Sequence, residues 1–157
     1  MKKNISNNIT YKEAIRSSIA TRYGLDNTPN ETELEAMELV ADKVFQPVRE
    51  HFDTAIFISS FFRAPEVNVK AGGSKTSSHP MGEAIDADAD VYGEVTNREI
   101  FDYIKDNLEF DQLIWEYGTE EEPAWVHMSF RKEGNRNEIL VVKRVNGEVK
   151  YSFYKES

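Results

Sequence analysis

The 157-residue sequence contains no cysteine. Disulfide bonds, thiolate nucleophiles and cysteine-ligated metal sites are therefore excluded. A metal site would have to be built from histidine, aspartate and glutamate side chains, and the chain has only three histidines. The possible metal sites are correspondingly few.

Long apolar runs are also absent. The chain opens with Lys2 and Lys3, but no apolar stretch follows them within the first 18 residues, so we expect neither a signal peptide nor membrane insertion. The protein is therefore expected to be cytoplasmic on synthesis.

Positive charge is scarce as well, with 19 basic against 28 acidic residues and a net charge of −9. This balance argues against nucleic-acid binding, which usually needs a basic surface. The length and the hydrophobic content of 39% predict one globular domain over residues 1–157, and we expect a monomer.

Helical signals dominate the first third of the chain. A capping box at Thr10 and Glu13 predicts a helix over residues 10–23, which Gly24 would end. A second helix is predicted from an N-cap at Asn30 to about residue 52, kinked or split by Pro47.

Strand signals dominate the remainder. Residues 55–61, 83–92, 111–118 and 124–130 are predicted to be strands, and residues 96–108 a helix with its own capping box. Two further strands flank Asn146 and Gly147, a strong hairpin signal. The sequence thus predicts an α+β domain in which N-terminal helices pack on a mostly antiparallel sheet.

Three residues are candidate metal ligands. His79 follows a Gly/Ser-rich loop, Asp86 lies seven residues later in an alternating strand, and His127 lies in the strand 124–130. Zinc accepts histidine nitrogen and aspartate oxygen, and three such ligands leave one position open. Spacing alone leaves Asp88 and Asp90 as competing ligands, because both are predicted on the same strand face as Asp86.

Several motifs in order resemble the zinc D-alanyl-D-alanine carboxypeptidase family, which includes phage L-alanyl-D-glutamate endopeptidases. The motifs are Asp26-Asn27-Thr28-Pro29, Gln46-Pro47-Val48-Arg49-Glu50, Ser59-Ser60-Phe61-Phe62-Arg63-Ala64-Pro65-Glu66, Gly72-Gly73-Ser74-Lys75, Ser78-His79-x-x-Gly82-x-Ala84-x-Asp86 and Trp125-Val126-His127. The resemblance spans about residues 10–130.

The resemblance implies the hedgehog/DD-peptidase fold and one Zn²⁺ bound by His79, Asp86 and His127. It also implies a peptidoglycan stem peptide as the substrate, cleaved next to a D-amino acid. A phage or prophage lysis enzyme that reaches the cell wall after release fits this family.

The general base departs from the family pattern. Several members carry an acidic residue three positions before the last histidine, where this chain has Ala124. We predict that Glu116 replaces it from the neighbouring strand, ahead of the acidic run Glu120-Glu121-Glu122.

Three further side chains are candidates for substrate binding. Arg63 occupies the family position of the arginine that holds a substrate carboxylate or polarises the scissile carbonyl. Ser78 and Gln112 are predicted to line the cleft. Because Ala124 breaks the usual pattern, the alternative is a non-catalytic zinc-containing module that binds peptidoglycan or belongs to a phage particle.

Overall fold

The computed structural model describes residues 4–156. The main hydrophobic core lies between helices and one face of a six-stranded sheet, and the other face borders a cleft that is partly covered by the loop over residues 71–79. The α-helices are α1 (Tyr11–Ile15), α2 (Ser18–Tyr23), α3 (Glu31–Val40), α4 (Gln46–Phe52), α5 (Pro65–Lys70) and α6 (Asn97–Asn107). The strands are β1 (Asn4–Ser6), β2 (Ile9–Thr10), β3 (Phe57–Ser60), β4 (Ala84–Asp88), β5 (Gln112–Glu116), β6 (Trp125–Ser129), β7 (Glu138–Val145) and β8 (Glu148–Phe153).

The predicted helix over residues 10–23 is wrong as a single element. Arg16 is extended and separates α1 from α2, and Ser17 caps α2 by accepting a hydrogen bond from the Ala20 amide. The Arg16 guanidinium donates to the carbonyl of Ile58 in β3, a tertiary contact that local sequence does not reveal. Gly24 ends α2 in the left-handed region as predicted.

The second helical segment begins as predicted. Asn30 and Glu33 form a reciprocal capping box. A π-helical turn (Ala41–Phe45) interrupts the α-helical pattern just before Pro47, which lies in the first turn of α4. A proline lacks the N–H that a regular helical hydrogen bond needs there.

The sheet has the order β3-β4-β6-β5-β7-β8, and only the β5–β7 pair is parallel. The predicted α+β class with a mostly antiparallel sheet is therefore confirmed, as is the β7–β8 hairpin at Asn146-Gly147. Side chains alternate across each strand, so that Ile85, Leu113 and Met128 join the main core beneath the helices.

The strand predicted over residues 83–92 is shorter than expected. It ends at Asp88, whose side chain accepts a hydrogen bond from the Asp90 amide and starts a 3₁₀ turn (Ala89–Val91). Asp90 therefore does not continue the strand face of Asp86. Within residues 4–156, no helix is long and apolar enough to cross a bilayer.

Candidate active site

His79 is placed by a 3₁₀ turn (His79–Met81) that ends at Gly82. Gly82 has a φ of 76°, and a Cβ there would approach the Glu33 carbonyl oxygen of α3 to 2.5 Å. Glycine thus permits both the reversal and the close packing of this loop on α3. The His79 ring is fully buried, and its Nδ1 donates to the carbonyl of Phe61 over 2.6 Å.

Asp86 and His127 face each other across β4 and β6 in the antiparallel register. Directly opposed residues bring their Cβ atoms to about 5 Å. The Nδ1 of His127 lies 3.0 Å from Asp86 Oδ1, and the Nε2 of His79 lies 3.2 Å from Asp86 Oδ2. The sheet and the loop thereby bring the three predicted ligands together.

The donor set fits a metal ion. Because Nδ1 of His79 donates to a carbonyl, its Nε2 carries a lone pair, and this buried atom has no hydrogen-bond partner within residues 4–156. Two acceptors, Nε2 and the Asp86 oxygen, thus face each other, which is favourable only with a cation between them. One ligand atom from each of the three residues lies within 4.8 Å of the others. Tetrahedral zinc with bonds of about 2.0–2.1 Å places its ligand atoms roughly 3.3 Å apart.

Protonation also suits a metal. Burial lowers the pKa of His79, which keeps the ring neutral and able to act as a ligand. Burial would raise the pKa of Asp86, but His79 and His127 beside it outweigh that effect and hold the pKa well below its usual range. Asp86 is therefore held as a carboxylate, the form in which it binds a metal.

Arg63 follows β3 and lines the same cleft. Its backbone is held by Asn27, whose side chain donates to the Phe62 carbonyl and accepts from the Ala64 amide. Burial lowers the pKa of Arg63, while Asp86 and Glu116 oppose that effect. Its Nε is buried without a hydrogen-bond partner in the described part of the chain, so the guanidinium retains donor capacity for a substrate.

Glu116 lies where β5 pairs with β6, opposite Trp125 and two residues beyond the partner of His127. Its side chain lines the cleft beside the cluster of His79, Asp86 and His127. Burial raises the pKa of Glu116 to about 7, with Asp86 adding to the increase and His127 and Arg63 opposing it. A carboxylate with such a pKa is suited to exchange protons near neutral pH.

The two other predicted substrate-binding residues also lie at the cleft. Ser78 is buried beside His79. Gln112 lines the cleft, but its side-chain amide donates to Glu138 in β7 over 2.7 Å. Part of its hydrogen-bonding capacity is therefore used inside the sheet.

The competing acidic residues lie elsewhere. Asp88 accepts hydrogen bonds from Asn97 and from the Asp90 amide. Glu122 caps α6 by accepting from the Asn97 amide. Glu120 and Glu121 line a different surface depression beside Trp115, on the opposite face of β5 from Glu116.

Sequence reasoning overlooked two kinds of residue at the site. Asn27 positions the Arg63 segment through two hydrogen bonds, to Phe62 and Ala64, and a third joins it to the Ile15 carbonyl of α1; the sequence shows only its place in a motif. Leu140, Arg144, Val149 and Tyr151 from β7 and β8 line the cleft. Strand alternation groups these side chains on one face, but only the sheet order places that face at the cleft.

The open sheet face and the facing loops enclose a cleft of about 600 Å³ that contains the cluster, Arg63 and Glu116. No curated protein matches the chain significantly. A family model described as peptidase M15 matches residues 7–129, which include all three clustered ligands, Arg63 and Glu116. The chain therefore belongs to the peptidase M15 family of zinc-dependent peptidases.

Proposed function

We propose that this protein is a zinc peptidase that hydrolyses peptidoglycan stem peptides next to a D-amino acid. The observation that carries the proposal is the buried Nε2 of His79, which faces the Asp86 carboxylate with no hydrogen bond of its own. With His127 it forms a three-ligand set, and Arg63 and Glu116 share the cleft.

Each side chain has a distinct task in this proposal. When bound by His79, Asp86 and His127, zinc supplies Lewis acidity that lowers the pKa of water and polarises a carbonyl. Glu116 accepts a proton from the attacking water and returns it to the leaving amine, a role for which a pKa of about 7 is suited.

Arg63 binds the oxygen of the scissile carbonyl or a neighbouring substrate carboxylate through its guanidinium. Ser78 and Gln112 contact the substrate along the same cleft.

The biological setting we propose is a phage or prophage lysis enzyme, made in the cytoplasm and active on the cell wall after release. It acts as one domain over residues 1–157 and as a monomer. The resemblance to phage endopeptidases supports this setting.

The test is incubation of the purified, zinc-loaded protein with muropeptides. Bound zinc is measured by elemental mass spectrometry, new amine termini by chemical labelling, and fragment masses identify the bond that is cut. One zinc per chain and a new terminus beside a D-residue are expected. Fragment masses also distinguish carboxypeptidase from endopeptidase activity.

The rival function is a zinc-containing module that binds peptidoglycan without cutting it. Ala124, in place of the usual acidic residue, is the observation that favours this rival. One zinc per chain with no new amine termini would support the rival and reject the enzyme.

A further inference from the structure

The β7–β8 hairpin begins at Glu138, beyond the family match that ends at residue 129. It nevertheless borders the same cleft as the metal cluster, through Leu140, Arg144, Val149 and Tyr151. The parallel pairing of β7 with β5 adds the hairpin to the edge of the sheet that carries Glu116. The cleft thus has a wall that the matched region does not provide.

Strand register fixes how this wall relates to the catalytic groups. One row across the sheet runs from Trp125 through Glu116 and Val142 to Tyr151. Side chains in one row of adjacent strands lie on the same face. Tyr151 therefore faces the same side of the sheet as Glu116, two strands away.

The chemistry of the wall is apolar with one cation. Val142 lies on the same sheet face as Glu116 and Tyr151, where it is completely buried and outside the main hydrophobic cluster. Val149 and Tyr151 are 43% and 55% exposed. Burial and the nearby carboxylate of Glu116 raise the pKa of Tyr151, which agrees with a hydroxyl directed towards the site.

Arg144 supplies the cation and is exposed to solvent. The hydrogen bond of its side chain is a 3.4 Å contact to the Gly147 carbonyl in the hairpin turn. The guanidinium therefore keeps most of its donors for an external acceptor, and planar carboxylates are the acceptors it binds best.

The distance between Arg144 and the His79–Asp86–His127 cluster indicates which part of a substrate Arg144 can reach. Arg144 lies four residues along β7 from Leu140, which shares the row of His127. Strand geometry puts the Cα atoms of Arg144 and His127 about 16 Å apart. The Arg144 guanidinium contacts the hairpin turn at Gly147, and swinging it along the strand towards the cluster shortens the gap to about 10 Å. This gap corresponds to roughly three residues of extended peptide.

We propose that Arg144, Val149 and Tyr151 form a subsite for a substrate carboxylate about three residues from the scissile bond. Arg144 binds the carboxylate, while Val149 and Tyr151 cover the adjacent backbone and small apolar side chains. This inference rests on the proposed function, since it assigns a specificity element to the same cleft.

The experiment compares Arg144→Gln with Lys143→Gln. Lys143 is the neighbouring exposed cation on the opposite face of β7, so both variants lose one positive charge. Each is tested with a series of synthetic stem peptides in which each carboxylate in turn is free or amidated. Calorimetry on metal-stripped protein gives Kd, and initial rates of the zinc-loaded protein give KM and kcat.

We expect one amidation to weaken binding to the wild type about tenfold, as for loss of one charge-assisted hydrogen bond. Arg144→Gln should weaken binding of the free-carboxylate peptide equally, be insensitive to that amidation, and raise KM with little change in kcat. Lys143→Gln should behave as the wild type, and Tyr151→Ala should weaken every peptide.

An Arg144→Gln protein that still distinguishes the free from the amidated peptide would overturn the subsite. So would equal losses in the Arg144→Gln and Lys143→Gln proteins. If no peptide is cut but the calorimetric pattern holds, the peptidase proposal fails while the subsite stands. If peptides are cut and the pattern is absent, the subsite alone fails.

Discussion

Replacement of Gly82 by alanine tests how the ligand loop is held against α3. Gly82 and Gly93 both have a φ of 76°, and each follows a 3₁₀ turn. A Cβ on Gly93 meets nothing within 4 Å, whereas one on Gly82 lies 2.5 Å from the Glu33 carbonyl oxygen and 2.9 Å from Met37 Cγ. The pair thus separates backbone strain from steric overlap.

The expected magnitudes follow from these contacts. A left-handed conformation costs an alanine roughly 1–2 kcal/mol, and this applies to both variants. Overpacking adds about 1–3 kcal/mol at Gly82 alone, because ordinary contact begins only at 3.4 Å and the loop or α3 must move. Gly82→Ala should therefore lose about 2–5 kcal/mol and Gly93→Ala about 1–2 kcal/mol.

Urea denaturation gives the two unfolding free energies and their m-values. A chelator competition gives zinc affinity, which should fall at least tenfold in Gly82→Ala, since the same loop carries His79, and stay unchanged in Gly93→Ala. Equal destabilisation of the two variants, or an unaltered zinc affinity in Gly82→Ala, would refute the close approach and its role in positioning His79.

Three further predictions concern catalysis, pH and loop support. Glu116→Gln should lower kcat about 10²–10⁴-fold with zinc still bound, whereas Glu120→Gln should leave kcat unchanged. Steady-state kinetics measure both values, and full activity of the Glu116→Gln protein would show that Glu116 is not the base. Burial would raise the pKa of Asp111, but hydrogen bonds from Arg136 lower it overall, so this contribution to stability is present above the unfolded pKa of about 3.9 and lost as pH falls through the lower folded value. Asp111→Asn should therefore lower the free energy of unfolding by about 2 kcal/mol at pH 7, and this loss should shrink below about pH 4. The control Asp106→Asn, at an exposed position, should change the free energy of unfolding by less than about 0.5 kcal/mol. A loss that does not depend on pH would contradict the role given to the Asp111 carboxylate. Asn27→Ala leaves three backbone groups unpaired, so it should lower the free energy of unfolding by about 2–4 kcal/mol. It should also raise KM, because the Arg63 segment is no longer held in place. Thermal melts and steady-state kinetics test these two effects, and the absence of both would exclude the positioning role of Asn27.

Much of the local structure could be predicted from the sequence, because its signals act over a few residues. The N-cap at Asn30, the capping box at Thr96 and the hairpin at Asn146-Gly147 are confirmed, whereas at Thr10 only the half in which Thr10 accepts from the Glu13 amide is formed. The prediction failed where distant contacts decide. Arg16 is extended between α1 and α2, and its guanidinium donates a hydrogen bond to β3. At the end of β4, Asp88 accepts a hydrogen bond that starts the next turn.

At the site, residue types and their order were enough to nominate a His-Asp-His set, since few side chains could replace them. Sequence spacing could not separate Asp86 from Asp88 and Asp90. The resemblance to a known family singled out Asp86, and the register that pairs Asp86 with His127, together with the loop packed on α3, gives the physical reason.

The sequence by itself thus determined three things about this chain: that any metal is bound without thiolates, where most local helices and strands begin and end, and that no acidic residue stands at the usual position of the base. The tertiary structure decided which of these side chains lie next to one another. The sheet order β4-β6-β5-β7-β8 puts Glu116 beside the ligands and Arg144 and Tyr151 along the same cleft. Such adjacency arises from pairing between strands far apart in the chain, which no local pattern encodes.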